Sequence, residues 1–417
     1  MTLAPDAYAA IAAAAAPSFS RDGQTLFYLC GSGLAQPWAL NLATGATRQL
    51  ARHDENVAVL RRSPVDDRLI YGFDRGGDEF QQLWLLDPDA GEPRALTNNP
   101  AAIHDFGGWS PDGTRIAYAA NDPDVAHFAV YVQDVASGER QRVFQGQNIV
   151  AVSGFQPDGA HLAMLHDRGY AHLSLLLLDL ASGEAREVGT PGNWASVRWA
   201  SDGQTLSALT DCGGGEFLRL CRVDPATGAI TVIHEAPGRD VEAWSLSPDR
   251  RMLATVENDR GYGVLRIGPL DGERPIVTGL PHGIAGDLAW SPDSGALAFT
   301  AAAPTEPAAL WLWRDGTARA LWRPELPFDP IDYALVEWPS FDGAHIPGWL
   351  ALPRGEKPAA ASRRADAGGG GGAGQAGGVR AGVDEFQGDR ARTDRNGRGK
   401  IGGGCGRVEN RDRGTLA

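Results

Sequence analysis

Lysine is nearly missing from this sequence: of 38 basic residues only Lys357 and Lys400 are lysines, and the rest are arginines. Acidic residues number 52, which leaves a net charge of −14. That balance excludes the broad positive surface on which binding to nucleic acid or an anionic membrane depends, so neither is expected as a partner. Cysteine is scarce too. Cys30, Cys212, Cys221 and Cys405 form no C-x-x-C pair, and a chain this long needs no disulfide framework, so a reducing compartment is expected. Long apolar runs are wanting: the alanine run Ala12–Ala16 is too short and too weakly apolar to span a bilayer or direct export. The start, Met1-Thr2-Leu3-Ala4-Pro5-Asp6, has no basic residue of the kind a signal peptide carries, and a cytoplasmic location follows as the expectation. His161, His166 and His172 lie close in sequence, but alternation along a strand sends the first two to opposite sides, and no pair has ligand spacing. No metal or cofactor is expected.

What is abundant is repetition. Trp109-Ser110-Pro111-Asp112-Gly113 is a tight-turn phrase: Pro111 presets φ, Asp112 caps the turn, and Gly113 takes the strained exit. Ile116 and Tyr118 then alternate with smaller or polar neighbours, as in a strand. The phrase recurs around Asp22, Asp67, Asp112, Asp158, Asp202, Asp249 and Asp293, at steps of 45, 45, 46, 44, 47 and 44 residues. A second marker runs in phase, an apolar strand followed by a turn whose glycine falls at Gly45, Gly91, Gly138, Gly183, Gly228, Gly272 and Gly316. A period of about 45 residues with about four short strands each is that of a propeller blade. One such sheet cannot cover its own apolar faces, and stacking seven radially buries them. The aromatics before most turns (Phe19, Trp109, Phe155, Trp199, Trp290) are read as packing between blades, with Trp244 slightly out of place.

The predicted fold is therefore all-β: a seven-bladed β-propeller over 17–324, preceded over 1–16 by a lead-in helix. Repeat two carries the most charged insertion, from Asp74 to Trp84. Its Asp74, Arg75, Asp78 and Glu79 are candidates for the mouth of the ring.

After the seventh repeat the pattern changes. Residues 331–353 read as two strands around the turn Asp342-Gly343, and the phrase Ser340-Phe341-Asp342-Gly343-Ala344-His345-Ile346-Pro347-Gly348-Trp349-Leu350 continues to Pro358. Seven such repeats followed by this phrase resemble the prolyl oligopeptidase family of serine peptidases, nearest to its acylaminoacyl-peptidase-like members. The resemblance spans residues 17–358. It implies a propeller that caps an α/β-hydrolase domain bearing a Ser-Asp-His triad, with peptides as substrates; residues 325–358 would be the linker and opening strands of that hydrolase.

The expected continuation is not found in residues 359–417. They contain 17 glycines, 10 arginines and one aromatic, Phe386, a composition that predicts disorder. They carry 11 basic and 7 acidic residues, which leaves residues 1–358 at −18. No Gly-x-Ser-x-Gly nucleophile elbow occurs in the sequence, and no histidine follows His345. No catalytic residue is assigned. An out-of-frame reading of a GC-rich gene gives this kind of Gly, Ala and Arg composition.

The reading that follows is a truncated family member retaining only the substrate-gating propeller, with no peptide hydrolysis expected and self-association possible through the exposed docking face. The alternative is a stand-alone propeller that binds a protein or small-molecule partner.

Overall fold

Each tight-turn phrase joins two antiparallel strands because its polar side chains satisfy the turn's own backbone. In the turn at residues 110–113 the Ser110 hydroxyl donates to Asp112 Oδ1 at 2.6 Å, Asp112 Oδ1 accepts the Thr114 N–H at 3.0 Å, and Ser110 Oγ accepts the Arg115 N–H at 2.8 Å. The same hydroxyl-to-carboxylate bond recurs at Ser20–Asp22, Ser247–Asp249 and Ser291–Asp293. The second marker works alike. Asp134 Oδ1 accepts the N–H groups of Ala136 and Ser137, and Gly138 takes φ +78°, which a side chain would resist.

The computed structural model describes residues 5–169 and 172–352. Seven consecutive antiparallel meanders occupy residues 12–49, 57–95, 104–145, 150–192, 194–234, 241–269 and 284–322, which we number as blades 1 to 7. The first strands of neighbouring blades approach one another and form the inner wall of the ring. Blades pack face to face through apolar residues. Ile70 and Leu83 of blade 2 meet Ile116 and Tyr118 of blade 3, and Ala163 and Leu177 of blade 4 meet Val197 and Leu206 of blade 5. Among the described residues no sheet borrows a strand from another, so the ring closes without a shared strand: Ala14, Leu26 and Tyr28 of blade 1 bury against Ala298, Leu310 and Leu312 of blade 7.

The sequence reading places a helix over the first sixteen residues, and the structure corrects it. The helix spans Pro5–Ala9, and the alanine run belongs to Ala12–Phe19, the first strand of blade 1. Alanine favours helix in isolation, but here a small side chain on the inner wall lets blade 7 pack closely, and tertiary context overrides propensity.

Blade 6 departs from the others in having three strands. Its outer edge is a single bridge, Arg266 to Ile276, within a segment containing Pro275, which offers no N–H. A buried polar network stands in for the missing strand. The Glu257 carboxylate, 4% exposed, accepts from Arg266 Nε and from His234 Nε2, each at 3.0 Å. Arg274 donates to His234 Nδ1 at 2.8 Å and to the carbonyls of Pro269 and Leu270. Burial, reinforced by the Arg274 charge, holds the His234 pKa below its ordinary value. With Nδ1 accepting from Arg274, its proton sits on Nε2 and points at Glu257.

Candidate functional site

In a closed ring of meanders, connections alternate between two rims. The turns between first and second strands share one rim with those between third and fourth. The connections between second and third strands, and those between blades, share the other, here called the loop rim. The four candidate residues of the sequence reading lie on the loop rim, in residues 74–81 between Leu69–Phe73 and Gln82–Leu86 of blade 2.

The structure brings them together within one loop and gives two of them local work. Asp74 Oδ2 accepts the Glu79 N–H at 2.9 Å, and Asp78 Oδ1 accepts the N–H groups of Phe80 at 3.0 Å and Arg75 at 3.3 Å. Gly76, Gly77 and Glu79 all take positive φ, so the loop doubles back on itself. Arg75, Asp78 and Glu79 are exposed. The loop is tied to blade 1 by relay: Gln36 donates to the Glu55 carbonyl at 2.8 Å, and Glu55 Oε2 accepts the Gly76 N–H at 2.8 Å. Beneath it lie His53, Tyr71, Phe73 and Trp84, with the His53 and Phe73 rings 4.5 Å apart and His53 Nε2 2.8 Å from the Tyr71 hydroxyl. Burial holds the His53 pKa down and pushes the Tyr71 phenol up, so both are neutral around pH 7. A rigid aromatic bed thus presents one guanidinium and two carboxylates to solvent.

The inner wall below this rim carries a feature absent from the sequence reading. All seven first strands contain a β-bulge, and the residues skipped in the pairing include Ala16, Ala58, Gly107, Ser153, Ser196, Glu242 and Asp287. Asp287 and Ala16 both have positive φ, and Asp287 Oδ2 accepts from the Thr300 hydroxyl at 3.1 Å and the Ala16 N–H at 3.4 Å, across the seam where blade 7 meets blade 1. A bulge skips one residue in register without changing composition, so period counting gives no sign of it.

A two-stranded hairpin, Tyr333–Pro339 with His345–Ala351, also sits at the loop rim, over the two-residue connection 260–261 of blade 6. Arg260 donates to Glu337 Oε1 at 2.8 Å, the Trp349 ring meets Tyr262 edge-on at 4.3 Å, and Tyr262 stacks on His282 at 3.5 Å. Trp338, Ile346, Trp349 and Leu350 are each 38% to 48% exposed, and Phe341 at the turn is fully so. The seat residues Arg260, Tyr262 and His282 escaped the sequence reading; the only available signal was how short that connection is. No group of three His, Cys, Asp or Glu side chains is placed to hold a metal among the described residues. The region from 359 onward lies outside the described residues.

No family model matches the chain. A dipeptidyl aminopeptidase BIII of Pseudoxanthomonas mexicana is 28% identical over 201 residues, 46% of this chain and 29% of that enzyme. Among solved structures, a prolyl endopeptidase superposes over 84% of this chain and 56% of its own, with a TM-score of 0.68 and 16% identity. The propeller is of the prolyl oligopeptidase type. A puromycin hydrolase agrees with it over 84% of this chain and 61% of its own, with a TM-score of 0.67 and 20% identity. The chain therefore covers less than two thirds of these prolyl oligopeptidase-type relatives. No helix among the described residues is long and apolar enough to cross a membrane.

Proposed function

We propose that this chain is the substrate-gating propeller of a prolyl oligopeptidase-family serine peptidase and does not itself hydrolyse peptides. The observation that carries the reading is the hairpin 333–351. It shares no sheet with the ring, stands on the loop rim, and turns an apolar ribbon away from its seat. Such a ribbon is expected to continue into, and be covered by, a further layered domain. The loop 74–81 stands on that same rim, where a peptide entering between ring and hydrolase would pass. Arg75 would attract the peptide carboxylate, and Asp78 and Glu79 its amino group, while Asp74 holds the loop in shape. Three buried thiols, Cys30, Cys212 and Cys221, remain unpaired, which suits a cytoplasmic site of action.

The test uses pure full-length chain. A fluorophosphonate probe that labels activated serines is expected to leave it unmodified, and peptide and acyl-amino-acid anilides are expected to remain uncleaved. Stoichiometric labelling, or turnover blocked by the probe, overturns the reading. Translating the gene in the other two frames beyond codon 358 is expected to reveal a Gly-x-Ser-x-Gly elbow.

A further inference from the structure

At the outer end of blade 6, which has three strands, the strap 270–277 occupies the place of a fourth. It holds to the last strand, Tyr262–Pro269, by few bonds. The Ile267 N–H donates to the Pro275 carbonyl at 3.2 Å, the Val277 N–H to the Leu265 carbonyl at 2.9 Å, and Arg266 Nη1 to the Arg274 carbonyl at 3.3 Å. Val277 is buried in the core shared by blades 6 and 7, whereas Ile276 is 51% exposed. The strap is therefore anchored at its end and held along its length by polar contacts.

Arg274 ties it to the neighbouring blade. Nη1 of Arg274 donates to the carbonyls of Pro269 and Leu270 at the start of the strap. Nη2 donates at 2.8 Å to Nδ1 of His234, the last residue of the strand Ile230–His234 in blade 5. A guanidinium is a donor only, so this bond exists only while Nδ1 carries no proton. The other ring nitrogen, Nε2, donates to Glu257 at 3.0 Å. A second proton must therefore enter at Nδ1, where it would face the N–H of Arg274.

The surroundings compensate that proton poorly. Blade 6 presents Glu257, which is shared with Arg266 Nε at 3.0 Å, and the strap presents Arg274. In blade 5, Leu220 stands in register beside His234, Arg219 donates to the Cys212 carbonyl, and Arg222 lies near Asp202. Glu235, next in the chain, is exposed to solvent. One carboxylate thus answers two guanidinium groups around a side chain that is 12% exposed, and a protonated imidazole would be a third cation. The lowered pKa of His234 agrees with this balance.

We propose that His234 is an acid-operated latch: a proton from solvent, taken at Nδ1, breaks the bond to Arg274, loosens the strap over 270–276 and uncovers the Ile267 N–H at the edge of blade 6. The closed strap binds the neutral imidazole. Closure is therefore complete above the ordinary histidine value of about 6.5 and weakens as pH falls below it. The turn carboxyls, lowered on folding, stay ionised through this range, so the ring keeps its shape while the strap opens.

The test is hydrogen exchange of the full chain at about pH 7.5, 6 and 5, read as protection factors so that the change in intrinsic rate with pH is removed. Protection over 265–277 is expected to fall by up to about tenfold per pH unit below about 6.5, the slope of one proton, while protection over 104–145 of blade 3 stays level. His234→Gln offers an amide oxygen to Arg274 and an amide N–H to Glu257 but takes no proton. It is expected to keep at pH 5 the protection it has at pH 7.5. Arg274→Ala is expected to be loose at pH 7.5 already and to lose nothing further in acid. Level protection in the unaltered chain, the same fall in folded His234→Gln, or a fall shared by blade 3 overturns the proposal. Should His234→Gln fail to fold, Arg274→Ala decides: a strap still fully protected at pH 7.5, or one that loosens further in acid, overturns it.

Discussion

The two rims of the ring are built from the same strands and differ in almost everything else. On the turn rim, successive turns reuse one set of polar contacts and also hold each other. Arg68 donates to the Gly113 carbonyl, Gln156 to that of Gly203, the Asp249 N–H to Ser294 Oγ, and the Arg21 N–H to Asp67. On the loop rim the connections between second and third strands run from two residues, 260–261 and 304–305, to eight, 74–81, 121–128 and 211–218. The two short connections belong to blades 6 and 7, and the hairpin stands over the first of them. A repeated rim fixes the number and spacing of blades, which frees the other rim to vary without loss of the fold.

The contrast breaks most severely where a turn-rim side chain joins two blades. Trp290 is 9% exposed, packs among blades 6 and 7, and donates to the Ser245 carbonyl at 3.0 Å. Trp290→Ala is expected to cost about 3–5 kcal/mol, read as a shift in the urea midpoint, through the cavity it leaves. A loss below ~1 kcal/mol would mean that the blades do not depend on this rim. Next in size, Ser110→Ala removes one donor to Asp112 and one acceptor for the Arg115 N–H, with an expected cost of about 1–2 kcal/mol.

The same turn predicts the direction of acid sensitivity. The Ser110 hydroxyl, and then the N–H and hydroxyl of Thr114, lower the Asp112 pKa to about 2. A carboxyl whose pKa falls on folding contributes stability that is complete above its unfolded value near 3.9 and is lost as pH falls toward the folded value. Asp22, Asp249 and Asp293 are lowered in the same sense, led in each case by the equivalent serine. The thermal midpoint is therefore expected to fall between about pH 4 and pH 2. Ser110→Ala should flatten that fall in proportion to one turn of several. An unchanged slope would show that the hydroxyl does not set the Asp112 pKa.

How far the sequence could be read follows the same division. Turns declare themselves, because Ser, Asp and Gly at fixed spacing each have one job in the backbone, and a period repeated seven times outweighs any local ambiguity. The first strand of blade 1 was illegible: a run of alanines carries no period-2 signal, and only the presence of blade 7 makes it a strand. On the loop rim, Asp74 and Asp78 were legible as charge in a glycine-containing loop, but their use as acceptors for their own backbone follows from conformation at Gly76, Gly77 and Glu79. Trp244 was legible only as falling out of phase with the other tryptophans; its place beside Arg198, with guanidinium and ring 5.0 Å apart, follows from how blades 5 and 6 pack.

Substitutions on the loop rim should do little to the fold. Asp78→Ala loosens residues 75–80 by removing the acceptor of two N–H groups, yet it touches no blade interface and is expected to cost less than about 0.5 kcal/mol. Limited proteolysis should find the change instead, as faster cleavage between Arg75 and Gln81. A large fall in the urea midpoint would show that the loop supports blade 2.

The smallest effect on the ring is expected from removing the hairpin altogether. It meets the ring at Arg260 and Tyr262, and the segment before it adds the contact of Phe328 with Tyr8, whose rings are 5.2 Å apart. None of these belongs to a cluster that buries one blade against another. A chain ending at Arg323 should therefore unfold at nearly the same urea concentration as the full chain. It should also self-associate less, by sedimentation velocity, because Trp338, Ile346 and Leu350 go with the hairpin. Arg260→Ala separates the two consequences: the ring is untouched while the hairpin loses its ion pair, so hydrogen exchange should quicken over 333–351 and nowhere else. If the shortened chain unfolds earlier, or associates as strongly as before, the hairpin is part of the ring rather than a surface prepared for another domain.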